Sequence, residues 1–320
     1  MTKLLRNATI LLLSLFSVSG YSTHLIGGEI TWKALGNDKY IIELKLFRQC
    51  SFPSAPINNL PTNISGPFGY INTTLVSSED VSIDCAGGLG VSCAGEIIGS
   101  VELYIFRTDT VVLTGNPPAS GWVFEHSNWG LPSGMVNLNP SSNMTLEIKS
   151  IMYEKNQDSP QMLYDLGQYI SATNKNLSFI TSKVSPADSL WYDIVTPQSI
   201  SSNYSAASYD SGFSVSQPLP NPNIDSTNGV VTINHRTGMV SYDINFAQTG
   251  FYGLFYKVER WRGSTKLSQI EALRSVYVNT ENADSNHSPD VSIDTTGYSN
   301  ISQNGTYSYS SNVWVGDTLE

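Results

Sequence analysis

The stretch that decides the fold is residues 24–50, HLIGGEITWKALGNDKYIIELKLFRQC. Gly28, Ile30 and Trp32 share one face of its first half, while Glu29, Thr31 and Lys33 alternate with them. In the second half Tyr40, Ile42, Leu44 and Leu46 share a face, opposite Glu43 and Lys45. Period two predicts strands with one face buried and one wet. The LGNDK segment between them carries turn chemistry, so the block reads as a hairpin. A helix needs apolar spacings of three and four, which are missing here.

The same signal recurs along the chain. Expected strands cover Tyr70–Val76, Ile97–Phe106, Thr110–Thr114, the GWVFEHSNW run and residues 144–153, separated by turn clusters. Residues 229–244 read as strand, Thr237-Gly238 turn, strand. Residues 248–261 alternate Phe251, Gly253, Phe255, Lys257 and Glu259 against Tyr252, Leu254, Tyr256, Val258 and Arg260. A turn at RGST returns the chain through 266–278, read as a bulged strand. Seventeen tyrosines, abundant Ser, Asn, Thr and Gly, and few helical runs agree with an all-β chain of sandwich type.

Residues 1–22 read as a secretory signal peptide. Lys3 and Arg6 precede a short apolar core, Ile10–Phe16, and small residues follow it. Taking those two cations from 17 leaves 15 against 27 acidic residues, a mature charge of −12. Such a surface repels phosphate polymers and anionic lipid, which argues against both as partners. No second apolar stretch approaches the length of a membrane span, which argues against direct membrane insertion after cleavage. Ser159-Pro160 and Ser288-Pro289, each after a polar stretch, mark module boundaries. The expected units are 23–156, an N-terminal β-sandwich; 157–281, a second sandwich; and 282–320, the start of a third, truncated repeat.

Cys50, Cys85 and Cys93 follow the leader, and export permits a disulfide. The glycine-rich loop between Cys85 and Cys93 closes easily and would contribute about 2–3 kcal/mol. One cysteine must be odd, and spacing does not fix which. No zinc-ligand spacing is present.

The motifs around the hairpin resemble the start of large Bacteroidota surface proteins, the gliding motility-associated C-terminal domain proteins. The likeness rests on His24, Gly27, Gly28, Glu29, Phe47, Arg48 and Cys50 in the hairpin, then on GWVFEHSNW, NQDSPQM and the Thr-Gly turn and Gly-aromatic strand of 233–263. It implies tandem Ig-like or cadherin-like sandwiches, export linked to type IX secretion, and adhesion at the cell surface. Two departures stand out. Trp129-Gly130-Leu131-Pro132 replaces the family's Cys-Cys-Arg-Asn, which implies that Cys50 has lost its partner. Ser185-Pro186-Ala187-Asp188 replaces an Asp-rich turn, which weakens calcium binding. The family's C-terminal sorting domain does not occur within the 320 residues.

Candidate chemistry is sparse. His24, His126, His235 and His287 are the four histidines, and no GxSxG elbow accompanies them. Most carboxylates alternate with apolar residues on wet strand faces, so a glycosidase pair has little support. Calcium at the first junction would use Asp158 and Asp188, against the simpler reading of a polar linker. Trp122, Trp129, Phe124 and His126 form an aromatic run that either stacks on sugar or fills a core, the core being commoner. Trp191, Trp261 and Trp314 read as core anchors. The Asn-x-Ser/Thr triplets at Asn63, Asn143 and Asn203 follow from composition. The reading is therefore an exported, modular, non-catalytic cell-surface protein acting in adhesion or as a structural envelope component. It has no catalytic residues and no cofactor, with calcium kept as the alternative. Its partners are other surface proteins or surface glycans. The rival is a secreted glycan-binding or glycan-hydrolysing protein with a spatially assembled carboxylate site.

Overall fold

A computed structural model describes residues 25–50, 62–82, 84–85, 89–90, 93, 100–129, 135–139, 145–162, 168–171, 176–178, 185, 187–196, 208–279, 302–304 and 308–310. The leader, most of the expected third unit, His24, His287, Trp314, Asn143 and Asn203 lie outside them.

The chain is all-β, as its composition predicts. In order, the strands are β1 (Leu25–Gly36), β2 (Lys39–Gln49), β3 (Asn63–Gly66), β4 (Gly69–Asn72), β5 (Thr74–Asp80), β6 (Asp84–Cys85) and β7 (Leu89–Gly90). Next come β8 (Val101–Arg107), β9 (Val111–Val112), β10 (Trp122–Trp129), β11 (Thr145–Met152), β12 (Gln168–Ser171), β13 (Asn176–Ser178) and β14 (Ser189–Ile194). The last are β15 (Thr232–Ile233), β16 (Met239–Ser241), β17 (Gly250–Arg262), β18 (Thr265–Asn279), β19 (Ser302–Asn304) and β20 (Ser308–Ser310).

The opening hairpin forms as read. Its two-residue turn puts Asn37 at φ 52° and Asp38 at φ 59°. This is the left-handed pair that matches the twist of the flanking strands. The run expected as one strand from Tyr70 breaks at Thr73 into β4 and β5.

One large sheet runs in the order β4-β3-β10-β11-β18-β1-β2-β8-β5, with β17 and β12 also on β18, β14 on β17 and β9 on β2. Strand β18 is the hub. Along one edge it pairs with β17 from Gly250↔Val278 to Arg262↔Thr265. Its other edge is taken in turn by β11 (Met152↔Ser268 to Lys149↔Glu271), β1 (Gly28↔Leu273) and, in parallel, β12 (Gln168↔Val276). The sheet therefore does not divide at 156/157. A strand from the second expected unit completes the first, and the sequence-local Pro signals carry no information about that long-range pairing.

Two cores result. The first lies between the β1-β2 and β10-β11 parts of the sheet and includes Ile30, Trp32, Leu44, Leu46, Phe124 and Ile148. Trp32 meets Phe124 with ring centroids 5.7 Å apart. Phe251, Phe255, Leu273 and Tyr277, from one face of β17–β18, close it. The opposite face contributes Tyr252, Leu254, Tyr256, Val258, Ile270 and Val276 to the second core, with Leu219, Val240 and Ile244 from the loops and short strands of 208–248. The alternation read along 248–261 is real, but for much of the hairpin both of its faces are buried.

The same correction applies to β1. Glu29 and Thr31, expected on a wet face, are 0% and 1% exposed. The Glu29 carboxylate lies 3.6 Å from Lys45, its cross-strand neighbour, and 3.3 Å from Arg274 of β18. The Arg274 guanidinium in turn sits 3.9 Å above the Phe47 ring. Gly27 and Gly28 allow this approach. A Cβ on Gly27 would come within 2.8 Å of the Leu273 carbonyl oxygen, and one on Gly28 within 3.0 Å of the Lys45 carbonyl oxygen.

The disulfide also differs from expectation. Cys50 bonds Cys93, with Cα atoms 5.3 Å apart. Cys50 has thus kept a partner, and Cys85, at the end of β6, is the odd cysteine.

A candidate functional surface on the sheet

The described candidates from the sequence fall into three places. Trp122, Phe124 and His126 point into the first core, at 5%, 0% and 6% exposure, so this run is structural. The side chain of Trp129 lies outside the described residues. His126 Nδ1 is 2.8 Å from the Asn63 carbonyl oxygen, joining β10 to β3, and Nε2 has no hydrogen-bond partner. Burial pushes its pKa below the ordinary histidine value.

The expected calcium ligands do converge, but around arginine. The segment after β11 is a strap docked on β1. Ser159 N donates to Trp32 O at 3.1 Å, Trp32 N to Ser159 Oγ at 2.8 Å, Trp32 Nε1 to Gln157 O at 2.9 Å, and Ala34 N to Asp158 Oδ1 at 2.7 Å. Arg260 reaches from β17 to both aspartates, donating to Asp158 O and to Asp188 Oδ2, each at 2.5 Å. Arg262 adds a bond to Asp188 Oδ1 at 2.7 Å. Burial alone would raise the Asp188 carboxyl, but the two guanidiniums outweigh it and hold the carboxyl below its usual range. Two guanidiniums stand where the calcium reading places a metal, and the polar linker is a clamp. Among the described residues no group of three or more His, Cys, Asp or Glu side chains is arranged to hold a metal ion.

The third place was misjudged from sequence. Trp191 and Trp261, read as core anchors, belong to neither core; both are half-buried, on the face of β17 that closes the first core farther along the strand but beyond the reach of that core. Trp191 faces Glu259 across the β14–β17 ladder and Trp261 faces Ser189, so the two rings are diagonal neighbours. Trp191 is stacked on His235, with centroids 4.9 Å apart and planes 2° from parallel, and Arg236 lies 5.3 Å from its centroid. His235 is itself fixed, with Nδ1 2.8 Å from Tyr192 O. Trp261 Nε1 donates to Glu259 Oε2 at 3.1 Å. Lys266 lies between Trp261 and Tyr153, 5.8 and 5.0 Å from the two centroids. The sequence signal was present: Trp191 and Trp261 fall on the polar phase of their strands, Trp261 with Lys257 and Glu259.

Polar groups between the rings answer one another. Glu259 Oε1 is 2.7 Å from Lys266 Nζ and 3.2 Å from Lys257 Nζ. Burial would raise this carboxyl, but the two lysines hold it below the usual range. Alongside runs a row of alternating charge across neighbouring strands, Glu125↔Lys149↔Glu271↔Lys257↔Asp193. Burial raises the pKa of Glu125; Lys149 opposes the shift, and Glu147 and Glu271 add to it. Compared with known proteins, the chain matches no family model and no curated sequence.

Proposed function

We propose that this is an exported, non-catalytic cell-surface protein of the type IX-secreted kind, acting in adhesion or as a structural component of the envelope. The carrying observation is how the opening motif is used. Gly27, Glu29 and Phe47 seat β1–β2 against β18, and Gly28 pairs with Leu273 there while leaving room for the Lys45 carbonyl of β2. Arg48 pairs with Glu102 at 2.5 Å, and Cys50 is tied to Cys93. Each of these described motif residues has a mechanical role. The disulfide supports an oxidising destination. Partners on this reading are other surface proteins or surface glycans, with neither nucleic acid nor the bilayer itself. The test is antibody labelling of intact, non-permeabilised cells, with attachment compared between the parent strain and a deletion strain. Surface signal and weakened attachment are expected; a purely intracellular signal contradicts the reading.

One observation favours a second reading, a glycan hydrolase. Glu125 stands in the charged row beside Lys149, its carboxyl raised by burial with Glu147 and Glu271 adding to the shift, and is the residue on which that reading is tested. Release of reducing ends from a polysaccharide, abolished by Glu125→Gln, would establish it in place of the first.

A further inference from the structure

We propose that the Tyr153–Trp261–Trp191 surface is a docking platform for a neutral polysaccharide. Sugar rings would stack along Trp261 and the Trp191–His235 pair, whose imidazole covers one indole face, and hydroxyls would hydrogen-bond to Glu259, Lys266 and Arg236. The inference deepens the adhesive reading and rests on it by naming its ligand class.

Four observations carry it. First, both tryptophans lie outside the two cores and are half-buried, although a core position, Tyr192, adjoins Trp191. Second, their orientations are set in advance: Trp261 by its bond to Glu259, Trp191 by the His235 stack, and His235 by Tyr192 O. A ligand then freezes few rotors on binding, which is what makes a weakly polar platform effective. Third, the rings sit on adjacent strands as diagonal neighbours, about 7–8 Å apart at the backbone. An extended polymer of ring-shaped units can span that separation.

Fourth, charge selects the class of ligand. Lys257 and Lys266 are both answered by Glu259, and Gln269 bridges Lys266 to Glu271. The two lysines of the network are therefore already answered, and Arg236, held over the Trp191 ring, is the one further cation the surface offers among the described residues, so an anionic polymer gains little. A protein partner fits poorly too, because interface cores are depleted of charge and this surface intersperses every ring with ionic groups that would be desolvated. Sugar hydroxyls have no such difficulty. An ammonium carries three donors and a carboxylate about four acceptor sites, so bonds to hydroxyls can be added without breaking the pairs.

The test is affinity electrophoresis of the mature chain in gels containing hydroxyethylcellulose, xyloglucan or galactomannan, with alginate as the anionic comparison. Retardation by at least one neutral polymer, insensitive to added salt, is expected. Trp191→Ala with Trp261→Ala should weaken it at least about tenfold, the scale of losing an aromatic anchor. Arg236→Ala, at an exposed position, should weaken it without touching the fold, which keeps the test decisive if the double variant melts early. Phe68→Ala and Tyr70→Ala, on rings 64% and 81% exposed elsewhere, should leave it unchanged. The proposal fails if no neutral polymer retards the chain, if retardation survives both sets of surface variants, or if alginate alone binds. Those failures leave the adhesive reading standing, whereas polymer breakdown with new reducing ends would sink that reading.

Discussion

The two cores on either side of the β17–β18 hairpin share that hairpin and are otherwise built by different means. The first is a strand structure. Its polar backbone groups are paired through long ladders, β1 with β2 and β10 with β11, and its interior is aliphatic and aromatic. The second is walled largely by the stretch 208–248, where the named strands β15 and β16 cover only 232–233 and 239–241. There buried side-chain amides substitute for the ladder. Asn221, 0% exposed, donates to Leu219 O at 2.9 Å and Gly212 O at 3.2 Å and accepts from Asn223 N at 2.9 Å. Asn228 bridges Phe246 O and the Asn245 and Phe246 amides, each at 2.8 Å. Asn137 ties Pro218 O to both backbone groups of Gly253. A core needs its backbone polar groups satisfied, and either a ladder or a few well-placed amides can do that. The amide solution concentrates the responsibility in single residues.

The two regions are most sensitive where they are clamped together. Arg260 joins the strap on β1 to Asp188 beside β14, and Asp188 has 0% side-chain exposure. Asp188→Asn leaves the Arg260 charge buried and unanswered, which should cost about 3–5 kcal/mol in urea unfolding. Addition of calcium or of EDTA should leave the melting temperature of the parent protein unchanged. Reducing Cys50–Cys93 acts on the ladder region. The bond closes a separation of 43 residues, and chain entropy puts its contribution at up to about 4 kcal/mol. A denaturation midpoint that ignores dithiothreitol would contradict that. On the amide side, Asn221→Ala orphans several backbone groups at once and should cost about 2–3 kcal/mol. A surface asparagine such as Asn234 should cost much less.

The smallest expected effect distinguishes the regions by pH. Burial depresses the His126 pKa in the folded first core, so the unfolded chain binds the proton more readily. Its contribution is fully present above the ordinary histidine pKa of about 6.5 and is lost as pH falls below it, at up to about 1.4 kcal/mol per unit. His126→Gln should flatten stability between pH 7 and pH 5 relative to the parent. Asp188, whose carboxyl is depressed, keeps its contribution through that window and loses it only below the ordinary carboxylate range. An unchanged slope in the histidine variant would assign the acid sensitivity elsewhere.

Much of this was legible locally. The 24–50 hairpin, the Thr237-Gly238 turn and the alternation of 248–261 are short-range patterns, and short-range patterns report strand and face. What alternation does not report is whether the second face is covered. Glu29 on β1 looked wet because its partners, Lys45 and Arg274, are themselves charged, one of them 245 positions away. The Cys50–Cys93 pairing and the insertion of β18 beside β1 depend on such long-range contacts, which spacing does not encode. The glycines at 27 and 28 stood out only as positions of the family motif, and the strand that packs on them is fixed by long-range pairing. The candidate surface was hidden for the opposite reason. Tryptophan is usually a core residue, and the polar phase that Trp191 and Trp261 share with their charged neighbours is visible only when strand alternation is weighed above residue type.

One shared hairpin makes the two cores a single cooperative unit. Scanning calorimetry of the mature chain tests it most directly, alongside Leu44→Ala in the first core and Leu254→Ala in the second, both at 0% exposure. Each truncation should remove about 2–5 kcal/mol. One transition, with calorimetric and van't Hoff enthalpies equal and both variants lowering it together, is the predicted result. Two transitions, each moved by only one of the variants, would contradict the account.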